Sequence, residues 1–95
     1  MGNVSMNLEQ LQHLKASLEQ HSGVIEGMLE EYGLFVNTAQ ARFIHTYVKS
    51  LELDFELAMT RGQHSELVLI TKDLKELSQA TATRLEATLH QEYQA

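Results

Sequence analysis

The sequence predicts an all-α fold, a small bundle of three or four helices closed by an antiparallel C-terminal hairpin, and three observations carry that expectation. Leu, Glu, Gln, Ala, Lys and Met dominate the 95 residues, all of them good helix formers, and proline is absent. Apolar residues recur at three- and four-residue spacing instead of alternating, which gathers them on one face of a helix. There is no cysteine, so neither disulfides nor thiolate metal sites can staple the chain, and packing has to hold it together.

Taken in chain order, residues 1–6 are expected to be disordered, and the first helix to open at Asn7. The Asn7 side chain can accept from the backbone three residues on, while Gln10 stands at the reciprocal capping-box position. Its apolar register runs Leu11, Leu14, Leu18, His21, Ile25, Met28, Tyr32 and Phe35, an unbroken 3-4-3-4 seam of coiled-coil type. Within that seam, "HSGVIEGMLEEYG" (residues 21–33) holds three of the five glycines of the chain. Two readings compete there. The periodicity favours one long helix, whereas His-Ser-Gly is good helix-terminating chemistry and each interior glycine costs up to about 1 kcal/mol relative to alanine. The terminating chemistry is taken to prevail, so residues 7–36 are expected to be one helical segment broken or kinked near 21–23.

The stretch from Gly33 to Thr38 reads as a clear boundary, with Asn37 or Thr38 as cap. The next helix should run from about 38 to 61 and stop at Gly62, where a left-handed backbone is tolerated. Ile44, Tyr47, Val48, Leu51, Phe55, Ala58 and Met59 form its expected core stripe. Leu53 and Leu57 fall on nearly the opposite side. After a turn at Gln63 and His64, Ser65 is the expected cap of a last helix over about 66–92. Its stripe is Leu67, Ile70, Leu74, Leu77, Thr81, Leu85 and Leu89, with Val68 and Leu69 lying off it. A connection this short makes the two helices a hairpin, and the whole chain is expected to be one helical domain.

The net charge of −6 argues against direct nucleic-acid binding, which depends on Lys and Arg neutralising phosphates. Residues 1–41 are the most acidic stretch, with Glu9, Glu19, Glu26, Glu30 and Glu31 against Lys15 and no other Lys or Arg. No apolar run approaches the roughly 20 residues that span a bilayer, and the N-terminus lacks the pattern of a secretory leader, so a cytoplasmic protein with no membrane contact is expected.

Chemistry-bearing motifs are sparse. The histidines at 13, 21, 45, 64 and 90 match neither the Glu-x-x-His pairs of di-iron bundles nor the His-Glu-x-x-His of zincins, so no metal and no cofactor are expected. Glu9 with His13, and Glu86 with His90, have the spacing of surface pairs within a helix. No glycine-rich phosphate loop is present, and no serine or threonine has an identifiable base, so the chain is not expected to be an enzyme.

"RFIHTYVKS" (Arg42 to Ser50) resembles the phosphate-accepting helix of histidine phosphotransfer domains, which implies an exposed phosphate-accepting histidine at His45 with a lysine beyond it. Those domains carry the lysine three residues after the histidine, followed by glycine; here Lys49 is four residues on and Ser50 follows. "ELAMTRGQHSE" followed by "LKELSQATA" resembles the small helical co-chaperones of type III secretion needle subunits, and "ARFI" resembles the opening of the plasmid RNA-regulating four-helix-bundle dimer. Both resemblances imply a helical hairpin alone, since the N-terminal third has no counterpart in either.

The functional expectation rests on surplus apolar surface. A chain of this length leaves much of its apolar area in water. It therefore suits a non-enzymatic interaction module, a homodimer or a small chaperone or adaptor that covers an apolar helix of another protein. Ile25, Met28, Leu29, Leu53 and Leu57 are the expected partner-binding residues, with methionine supplying adaptable contact. The alternative is an acidic regulator that binds a nucleic-acid-binding protein or blocks its basic site.

Overall fold

The computed structural model describes residues 6–32 and 38–94, and these form three helices: α1 (Leu8–Tyr32), α2 (Thr38–Arg61) and α3 (His64–Gln94). No strand occurs among the described residues. The expected disorder of residues 1–5 and the cap at Asn37 lie outside them.

The start of α1 follows from the capping box. The Gln10 backbone N–H donates to Asn7 Oδ1 at 2.8 Å, and the Asn7 N–H donates to Gln10 Oε1 at 3.0 Å, so two otherwise orphaned donors are satisfied reciprocally. The expected break at 21–23 is not there. α1 passes through Ser22, Gly23 and Gly27 without interruption. Its seam explains why: Leu18 and Ile25 are buried on either side of Gly23, and a break there would remove one of them from the core they share. Burying a side chain of that size stabilises by about 1.5–3 kcal/mol, more than the roughly 1 kcal/mol a glycine forfeits. Nothing lies within 4 Å of where a Cβ would stand on Gly23 or Gly27, so neither glycine makes room for a neighbouring helix.

Gly62 behaves as its position predicts. Its φ is 67°, the Gln63 N–H donates to the Ala58 carbonyl at 2.9 Å, and the Gly62 N–H donates to the Met59 carbonyl at 3.2 Å. These two bonds are those of a Schellman motif, which satisfies the last carbonyls of α2. α3 then begins at His64 rather than behind a Ser65 cap. The chain needs no side-chain cap at that point, because the Glu66 N–H donates to the Gln63 carbonyl at 3.1 Å and starts the first turn from the backbone itself.

Two contacts set the helix directions. The Met6 N–H donates to His64 Nδ1 at 2.9 Å, which ties the start of α1 to the start of α3 and makes these helices run the same way. Met6, expected to be disordered, is thus held. His45 on α2 meets Glu26 on α1 at 2.8 Å, which brings the early part of α2 beside the later part of α1 and makes these two run oppositely. The result is a rod of 54 × 22 × 19 Å. Its cross-section is about two helix diameters, so three helices lie side by side around one thin core.

That core consists of Leu18 and Ile25 from α1, Val48, Leu51, Phe55 and Ala58 from α2, and Leu67, Ile70 and Leu74 from α3. Leu85 extends the buried row of α3. Every expected stripe position of α3 is buried or half-buried. Two stripe positions of α2 differ: Tyr47 and Met59 are exposed. They lie on the flanks of the stripe, and a three-helix rod is too thin to cover a face that broad. Thr71, buried on α3, returns its hydroxyl to the Leu67 carbonyl at 2.8 Å, so its polar group is satisfied without leaving the helix.

Candidate interaction surface

In a bundle of three helices each helix buries one stripe, and the grooves between neighbours stay open to water. The five expected partner-binding residues are dispersed by this arrangement. Ile25 has no accessible surface and belongs to the core, because its place on the α1 seam points it inward; it has nothing to offer a partner. Leu29 packs against the core and lines a groove between α1 and α2, together with Ala41, Arg42 and the Glu26–His45 pair. Met28 is half-buried. Leu53 and Leu57, by contrast, are 61% and 50% exposed on the outer side of α2.

The structure adds residues that the periodicity argument had assigned elsewhere or passed over. Phe43 is the most exposed large apolar side chain described, at 71%, and its ring stacks on that of Tyr47 with centroids 6.4 Å apart and an interplanar angle of 21°. Leu69 on α3 is also exposed. The signal for the aromatic pair was present in the sequence: residues 43 and 47 are one helical turn apart and point the same way. It was missed because Tyr47 sits 60° from Ile44 on a helical projection, close enough to be counted with the core.

These side chains share one feature of the fold, the furrow between α2 and α3. At one end Phe43 and Tyr47 face Glu76 and Ala80 across a floor of Ile44 and Leu77. Towards the other end Leu57 and Arg61 face Glu66 and Leu69 across Leu51, Ala58 and Ile70. Asp73 borders both parts, so the two lie end to end between α2 and α3. Leu53 stands on its outer shoulder, 40° around α2 from Leu57.

The His45 site has different chemistry. Nδ1 of the ring is 2.8 Å from both carboxylate oxygens of Glu26, and both residues are partly exposed. This contact fixes the ring and links two helices. Lys49, the lysine of the phosphotransfer-like stretch, pairs with Glu52 at 3.4 Å. Among the described residues no group of three or more histidine, aspartate or glutamate side chains is placed to hold a metal ion, and no helix is long and apolar enough to cross a membrane. No protein-family model matches the chain, and no curated protein or solved structure matches it.

Proposed function

We propose that this chain is a non-enzymatic helical protein–protein interaction module, whose working surface is the outer side of the hairpin formed by α2 and α3. One observation carries the reading. Phe43, Leu53, Leu57 and Leu69 are each at least half exposed; Phe43, Leu57 and Leu69 line the α2–α3 furrow, and Leu53 stands on the back of α2 one turn from Leu57. Isolated exposed leucines are ordinary, but an aromatic pair and several leucines along one furrow have the composition of a binding surface. The furrow between two helices is the shape that accepts the apolar face of a third, which is how chaperones and adaptors mask a helix of another protein.

The test is binding of a synthetic amphipathic helical peptide with leucines at 3-4 spacing and uncharged flanks, followed by fluorescence anisotropy. The wild-type chain should bind it, and Leu53→Glu combined with Leu57→Glu should weaken binding about ten-fold or more while helicity by circular dichroism is unchanged, since a charge desolvated without a partner is costly. Absence of binding by the wild type, or equal binding by the variant, would overturn the reading.

A further inference from the structure

The proposed surface has a charge pattern that selects its occupant. Along α2 Phe43, Tyr47, Asp54, Leu57 and Arg61 line the furrow, and with Ser50 at the position between its two parts they follow a 4-3-4-3-4 spacing. Along α3 they are Glu66, Leu69, Asp73, Glu76 and Ala80, spaced 3-4-3-4. Two facing helices that both present stripes of this period leave a slot in which one more helix completes a bundle. From Phe43 to Arg61 the slot is about 27 Å long, enough for roughly five helical turns.

The edges of the slot carry Asp54, Glu66, Asp73 and Glu76, all exposed, against a single guanidinium at Arg61. Arg84 continues the α3 stripe only beyond Ala80, past the aromatic end. A second copy of the same chain would bring acidic edge against acidic edge.

From the exposed apolar side chains along it, the helical period and the acidic edges together we infer that the α2–α3 furrow takes an amphipathic helix of another protein, with leucine-type residues at 3-4 spacing flanked by Lys and Arg. This rests on the interaction-module reading and adds the chemistry of the partner. Complementary charge on such edges selects the partner and speeds encounter more than it adds affinity. The exposed apolar side chains of Phe43, Tyr47, Leu57 and Leu69 supply the affinity.

The experiment uses three peptides of about 20 residues, with the same apolar face and with Lys/Arg, Gln or Glu at the flanking positions, titrated into the full chain at low and high salt. The basic peptide should bind about ten-fold more tightly than the Gln peptide at low salt, and the Glu peptide more weakly than either. High salt should remove most of that spread. Asp54→Lys combined with Asp73→Lys changes exposed side chains only and should invert the order of the basic and acidic peptides. Leu57→Gln combined with Leu69→Gln should weaken all three alike. Equal affinity for the three peptides, with no inversion by the lysine variant, would overturn the charge inference and leave the interaction module standing. Failure of all three to bind would overturn both. A tight dimer by light scattering that Tyr47→Glu dissociates would identify the occupant as a second copy and overturn the inference as well.

Discussion

Residues 21–23 and residues 61–64 look alike on paper and end up differently. Both place a glycine after polar or charged side chains at the end of a run of helix-forming residues: His-Ser-Gly in the first, Arg-Gly-Gln-His in the second. In the first the helix continues with an exposed glycine in open space; in the second it stops, with the glycine at φ 67°. Local chemistry is therefore not what separates them. The apolar register is. Leu11, Leu14, Leu18, Ile25 and Met28 keep one 3-4 seam on both sides of Gly23, whereas continuing the α2 seam beyond Ala58 would put Gly62, Ser65, Leu69 and Lys72 on the core face. The buried residues of α3, Leu67, Ile70 and Leu74, lie two positions out of that register. A helix persists where tertiary burial on both sides demands the same phase, and a glycine ends it only where the phase changes.

The largest test of this comparison is Ile25→Ala. If one seam runs through the glycines, Ile25 is a core residue and its truncation should destabilise by about 2–5 kcal/mol, seen as a fall in the urea midpoint with an unchanged slope. A loss under about 0.5 kcal/mol would mean that the C-terminal half of α1 is not docked on the core. Next in size is Gly62→Ala. A Cβ in the left-handed region costs about 1–2 kcal/mol even though nothing crowds the site, so this variant should destabilise by that amount. Gly62→Asn should recover part of the loss, because asparagine tolerates that backbone. No loss at Gly62 would show that the turn has other ways to close, and would weaken the contrast with Gly23.

Much of the fold was legible because it depends on period and on one turn. The stripe of α3, the capping box at Asn7 and Gln10 and the stop at Gly62 were all readable, since each is a short-range pattern with a single geometric solution. The continuity of α1 was legible too, in the seam, but a residue-by-residue weighing of glycine propensity outvoted it. Propensity acts at one residue, whereas the seam collects burial from both halves of the helix. The α2 flank was harder. Tyr47 and Met59 lie on the margin of the core stripe, and whether a marginal residue is covered depends on how many helices surround it. A three-helix rod leaves them in water. The candidate site suffered most from this. Leu53 and Leu57 stood out because they oppose the core face, while Phe43 and Leu69 emerge only when α2 and α3 are laid side by side, and no pattern within one helix specifies that furrow.

The smallest effect has the most informative sign. Gly23 and Gly27 are exposed on α1, both have helical backbone, and nothing lies within 4 Å of either missing Cβ. Alanine at these positions removes backbone freedom from the unfolded chain and meets no obstacle in the folded one, so Gly23→Ala should stabilise by about 0.5–1 kcal/mol and Gly27→Ala by a similar amount. In a chain of this length 1 kcal/mol moves the thermal midpoint by about 4–8 °C, within reach of an ordinary melt. Neither position borders the α2–α3 furrow, and peptide affinity should stay as in the wild type. Destabilisation at Gly23 with none at Gly27 is the signature of a left-handed cap, and it would put a break back into α1. A loss at both would point to a helix packed against the glycine face, and that face would then replace the furrow as the first place to look for a partner.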